Sequence, residues 1–93
     1  MSDSFEKFRQ LLIDSYLFPA TYSHKFIGKN SEVFRVGVRE FEAKFVGLRM
    51  TREKMSASDA HRALTYEFLA GSAEDIIELA KATYEIPDLL YIL

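Results

Sequence analysis

The sequence predicts one α+β domain: a four-stranded antiparallel sheet with two helices on one face, preceded by an extra N-terminal helix. Three observations carry this. Residues 21–27 and 61–70 alternate between apolar and polar with period two, as half-buried strands do. Other segments repeat large apolar residues every three or four positions behind a capping residue, as amphipathic helices do. The segments also follow one another as helix, then β-α-β-β-α-β.

Taken in order, residues 4–17 form the first helix. Asp3 or Ser4 is the expected cap, Phe5, Phe8, Leu12 and Tyr16 make its stripe, and Leu11 widens it. Phe18-Pro19 ends the helix, because a residue before proline is driven out of the α region. In the strand 21–27, Tyr22, His24 and Phe26 point one way, and Ser23, Lys25 and Ile27 the other. Gly28 to Asn30 is read as the turn, and Asn30 or Ser31 as the cap of a second helix. Phe34, Val38, Phe41 and Phe45 line that helix, and Gly47 is the expected left-handed residue at its end.

Residues 48–55 are polar and weakly alternating, as an edge strand is. After a turn over 56–59 comes the clearest strand, with Leu64, Tyr66 and Phe68 on one face. Ala63, Thr65, Glu67 and Leu69 lie on the other. Ser72 with Asp75 approximates a capping box for the third helix, whose inward set is read as Ala73, Ile76, Ile77, Ala80 and Tyr84. Pro87 ends it, and residues 88–93 form a short apolar last strand. Right-handed crossovers then give a ferredoxin-like βαββαβ sandwich of strand order 4-1-3-2. Residues 1–17 are an N-terminal helical extension, and residues 18–93 are the ferredoxin-like domain.

Composition narrows the function classes. The chain has 93 residues, enough for one domain. It has no cysteine, which excludes disulfides, thiolate metal sites and a cysteine nucleophile. Residues 1–6 have neither the basic start nor the apolar run of a secretory signal, so the expected location is cytoplasmic. A formal charge of −2 is not a nucleic-acid footprint. The charge is uneven, however, and Lys44, Arg49, Arg52, Lys54 and Arg62 form a local basic cluster. The last strand is apolar on both faces, so the sheet face away from the two crossover helices needs a cover. That cover is either the N-terminal helix or a second copy of the chain.

The run Phe18-Pro19-Ala20-Thr21-Tyr22-Ser23-His24-Lys25-Phe26-Ile27-Gly28 resembles the opening of the YbeD-like family of small proteins, domain-of-unknown-function family four-nine-three. Its members begin with Phe-Pro, an aromatic-rich strand containing a lysine, and a short turn into a helix. The resemblance covers residues 18–93. It departs at the second hairpin, where the family carries a Ser-Lys-Gly-rich turn and this chain has Met55-Ser56-Ala57-Ser58-Asp59-Ala60. The resemblance implies a ferredoxin-like fold similar to ACT-like domains that sense small ligands. It also implies a regulatory or accessory role, with no established catalytic residues.

Few residues suggest chemistry. His24, His61 and Glu67 lie on the two central strands and are the only obvious set for a metal site or an acid–base pair. Gly28-Lys29-Asn30-Ser31 precedes a helix and is a weak anion-binding signal, without the Walker glycines. An RNA-binding version of the fold needs aromatics on the outer face of strands 1 and 3, where the alternation instead puts Ser23, Lys25, Ile27, Ala63, Thr65 and Glu67. The expectation is a non-catalytic regulatory or protein-interaction module without a cofactor. It is expected to form a homodimer or bind a protein partner through Ser23, Lys25, Ile27, Thr65, Glu67, Leu90 and Ile92. A small metal-binding protein or enzyme built on the two histidines is the alternative, and an RNA-binding domain is a third reading.

Overall fold

In the computed structural model, which describes residues 5–93, the elements are α1 (Glu6–Ser15), β1 (Ala20–Lys29), α2 (Glu32–Ala43), β2 (Leu48–Met55), β3 (His61–Ala70), α3 (Ala73–Tyr84) and β4 (Leu89–Ile92). The strands form one antiparallel sheet in the order β2-β3-β1-β4, which is 4-1-3-2 read from the β4 edge. The two strands that alternate best, β1 and β3, are therefore central. An α+β chain with three helices and this sheet agrees with the architecture expected from the element order.

The local signals explain most boundaries. Ser31 Oγ accepts from the Phe34 N–H at 3.1 Å and caps α2. At α3, Ser72 makes no side-chain cap bond; instead the Asp75 carboxylate accepts from the Gly71 N–H at 2.8 Å. The predicted capping box thus closes one residue early. β1 continues through Gly28 and Lys29, where a turn was expected. Gly28 sits beneath the Phe34 ring, and a Cβ there would lie 2.1 Å from a ring carbon. Gly47 does take a left-handed φ of 83°, but beyond the end of α2, in the link to β2. The expected caps of α1, Asp3 and Ser4, lie outside the described residues.

One face of the sheet carries the core. Phe26 lies at its centre, stacked on Tyr66 at 5.6 Å between ring centroids and met edge-on by Phe41 and Phe34 of α2. From α3, Ile76, Ile77, Leu79, Ala80 and Thr83 are buried, and Thr83 reaches His24 on the same face of β1. Tyr84, expected inward, is 63% exposed. Ala73, Ile76, Ile77 and Ala80 are inward as read; Thr83, three residues after Ala80, continues that face in place of Tyr84, and Leu79 widens it.

The N-terminal helix stacks on α3 and not on the second sheet face. Leu12 is buried in the common core, Arg9 pairs with Glu74, and the Phe5 ring lies 6.5 Å from Tyr84. Tyr16 meets Tyr22 on the helix side of β1, with centroids 6.0 Å apart. Leu11, read as part of the stripe, is 60% exposed. Among the described residues, nothing covers the other face of the sheet. No helix among the described residues is long and apolar enough to cross a membrane.

Candidate functional site

Pairing register decides which side chains share the open face, because cross-strand partners point the same way. Ser23 is opposite Glu67, Lys25 opposite Thr65, and Ile27 opposite Ala63. On the outer side of β3, Arg49 stands by Glu67, Arg52 by Thr65 and Lys54 by Ala63. On the outer side of β1, Tyr91 stands by Ile27. The Leu93 N–H bonds to the Lys25 carbonyl at 2.9 Å. The face therefore has two zones. Toward β2 it is cationic, and toward β4 it is apolar, with Ile27, Tyr91 and Leu93.

The cationic zone is unbalanced. Glu67 is bound by Arg49 at 2.7 Å, so its charge is already matched. Lys25, Arg52 and Lys54 have no ion-pair partner among the described residues. Together with Ala63 and Thr65 they line a shallow hollow of about 160 Å³ with no carboxylate in its wall. A second hollow of about 220 Å³ adjoins it, between Ile27, Lys54, His61 and Tyr91. Like charges this close across strands are unfavourable unless something anionic lies over them.

Both edges of the sheet are broken by bulges. β2 shifts register between Met50 and Arg52, which leaves Thr51 as the extra residue. β4 shifts between its partners Ile27 and Gly28, so Leu90 is skipped. Bulged edges resist strand-by-strand pairing, and β4 is short besides, which leaves the face as the better docking surface.

The sequence-based expectations fare unevenly here. Ser23, Lys25, Ile27, Thr65 and Glu67 share the open face as read. Ile92 does not: it pairs with Phe26 and packs toward the core. Leu90 sits in the bulge, outside the ladder, and is exposed. An all-apolar strand gives no period by which to set its facing, and the bulge reverses it. Tyr91 is the outward residue, opposite Ile27. The basic cluster also divides. Arg49, Arg52 and Lys54 point to the open face, whereas Arg62 lies on the helix side, bonded to Glu53 and Asn30. Lys44 caps the end of α2.

The two-histidine site does not form. His24 is buried on the helix face; Glu67, although beside it in the sheet, is on the opposite face, and so is His61. The two histidines are also five strand positions apart, about 16 Å. No group of three or more His, Cys, Asp or Glu side chains among the described residues is arranged to hold a metal ion. His24 is instead a structural residue. Thr83 Oγ1 donates its proton to the Leu79 carbonyl at 2.7 Å, so His24 Nε2 must donate to Thr83 at 2.9 Å. Nδ1 is then a buried acceptor with no partner, and burial lowers the His24 pKa to about 4. The Gly28-Lys29-Asn30-Ser31 segment, strand through Lys29, is occupied by its own contacts: Ser31 donates to Asp88 at 2.8 Å, and Asn30 donates to the Asp59 carbonyl at 2.9 Å.

No family model matches the chain, and no curated protein matches it. Among solved structures, the chain is similar to the solution structure of protein HP0495 from H. pylori. The TM-score is 0.58 at 9% identity, over 85% of this chain and 86% of that one. A likeness at that identity is one of fold, and it spans nearly the whole of both chains.

Proposed function

We propose that this chain is a ferredoxin-like, non-catalytic interaction module whose open sheet face receives an acidic protein partner. The reading rests on the uncovered face, where Lys25, Arg52 and Lys54 converge without a carboxylate partner, next to the apolar strip of Ile27, Tyr91 and Leu93. Such a face suits a segment with acidic side chains at one end and an apolar anchor at the other. The resemblance to the YbeD-like family, with its regulatory or accessory members, favours the same class of function.

The charge also bears on the choice of partner. A two-fold homodimer through this face would bring the same cations against one another, because an isologous interface is self-complementary. An acidic partner removes that penalty. Nucleic acid would gain the charge but would find no Phe, Tyr or Trp on the outer side of β1 or β3 to stack on, only His61 at the end of β3.

The test is a titration of ¹⁵N-labelled protein with hexaglutamate and, separately, with oligo-dT, each at low and high salt. The expected result is saturable shifts at Lys25, Arg52, Lys54 and Thr65 with the peptide, weakened by salt and lost in the Lys25→Glu/Lys54→Glu double variant. Equal or tighter binding of oligo-dT, no saturable binding of the peptide, or a sedimentation dimer that buries Tyr91 would each overturn the reading.

A further inference from the structure

On the opposite side of the sheet, a groove of about 330 Å³ runs between α2 and the β2–β3 edge. This falls at the lower end of the size range of small-molecule sites. Its floor is apolar: Phe34 and Leu64 are fully buried, and Val38 nearly so, with Met50 at the rim. Its walls are charged. Arg35 and Arg39 stand one turn apart on the same side of α2, and Arg62 rises from β3. Glu42 and Glu53 are the carboxylates in the wall.

The partners in this groove are unequally distributed. Glu53 is taken by Arg62. Glu42 accepts from the Tyr66 hydroxyl at 2.7 Å and pairs with neither helical arginine. That hydroxyl stays protonated, because burial and the Glu42 carboxylate both raise its pKa. Asn30 Oδ1 receives Arg62 at 3.2 Å and Arg35 at 3.3 Å, so Arg35 has a neutral partner only. Arg39 has no partner among the described residues. Two guanidiniums at i and i+4 repel each other, and here no carboxylate separates them.

We infer that this groove is a binding site for a small amphipathic monocarboxylate, its carboxylate held between Arg35 and Arg39 and its apolar body against Met50 and the edge of Val38. Guanidinium forks fit a planar carboxylate in a bidentate way. Three guanidiniums against two carboxylates leave one positive charge, which a monoanion neutralises. A dianion such as a phosphate monoester would meet Glu42 and Glu53 in excess. The site is separate from the open face, because it lies across the sheet from Lys25, Arg52 and Lys54.

The test uses two probes, 3-phenylpropionate and 4-methylpentanoate, each compared with its neutral amide in amide-shift titrations of the full chain. The expected result is saturable shifts in the sub-millimolar to millimolar range, centred on Arg35, Arg39, Met50 and Leu64. The amides and the Arg35→Gln/Arg39→Gln variant should each bind about tenfold or more weakly. Both arginines are exposed, so that variant should keep the wild-type spectrum elsewhere. Equal binding of acid and amide would overturn the site, as would unchanged affinity in the double variant. Shifts centred on Lys25 and Lys54, or no saturable shift by either acid, would do the same.

Discussion

A single strand shows how differently the two faces of this sheet are built. On one side of β1, Tyr22, His24 and Phe26 meet three helices, and even the His24 imidazole is neutral and enclosed. On the other side, Ser23, Lys25 and Ile27 meet only their neighbours in the sheet and no helix among the described residues, and the charge around Lys25 is left unmatched. Adjacent residues thus answer to different demands, because strand side chains alternate between faces. The helix face is shaped by packing and desolvation. The open face retains an arrangement that packing does not require, which marks it as the place to seek a partner.

The largest effect should come from the centre of the packed face. Phe26→Ala removes a fully buried ring that contacts four other aromatic side chains, His24, Phe34, Phe41 and Tyr66. It should cost about 3–5 kcal/mol in a urea denaturation series. If the protein then fails to fold, Phe26→Leu should lose about 1–2 kcal/mol and keep the comparison measurable. Neither variant should alter the affinity of the open face for hexaglutamate per folded molecule. A change there would mean that the two faces are coupled.

His24 gives the next effect, through pH. Its folded pKa is about 4 against an ordinary 6.5, so between those values the unfolded chain binds the extra proton. Stability is therefore full above about pH 6.5 and falls as pH drops toward 4, by about 3 kcal/mol in all. Denaturation midpoints across that window should show the slope, and His24→Phe should flatten it. An equal slope in that variant would place the titrating group elsewhere.

A smaller effect belongs to the rim of the packed face. Tyr66 is stacked on Phe26, but its hydroxyl reaches out to Glu42. Tyr66→Phe keeps the ring and deletes that bond, so it should lose about 0.5–1.5 kcal/mol in the same urea series. A loss as large as that of Phe26→Ala would mean that the hydroxyl, not the ring, holds this part of the sheet to α2.

The same division explains what could be read from the sequence. β1 and β3 are half-buried, so their period-two pattern fixed the facing of Lys25, Thr65 and Glu67. β4 is apolar throughout and bulged at Leu90, so Ile92 was placed on the wrong face. The stripe of α1 showed that the helix packs, but an apolar stripe does not name its partner, and α3 with the helix side of β1, rather than the open sheet face, receives it. The basic cluster was visible as composition. Its division between two faces follows from register: Arg62 pairs with Met55 and Gly28 on the helix side, one position from the outward Ala63. Arg35 and Arg39 carried a signal, two like charges one turn apart, that a search for the aromatic stripe of α2 passes over.

The smallest effect on stability should come from the open face, and its sign is informative. Arg52 pairs with Thr65, which in turn pairs with Lys25, and Lys54 follows two residues along the same strand face. Arg52→Glu places an anion among these cations. Away from the core, such a change should stay within about 0.5 kcal/mol of the parent, and here it should fall on the stabilising side at low salt. High salt should erase the gain, because exposed pairs are screened. Binding should move the other way, with hexaglutamate affinity falling as stability rises. Residues kept for packing lose stability when replaced; residues kept for a partner can gain it, because the isolated fold bears a repulsion that only the complex relieves. If Arg52→Glu instead destabilised the fold and left peptide binding intact, the cations of this face would belong to the architecture, and the contrast between the two sides of β1 would lose its functional meaning.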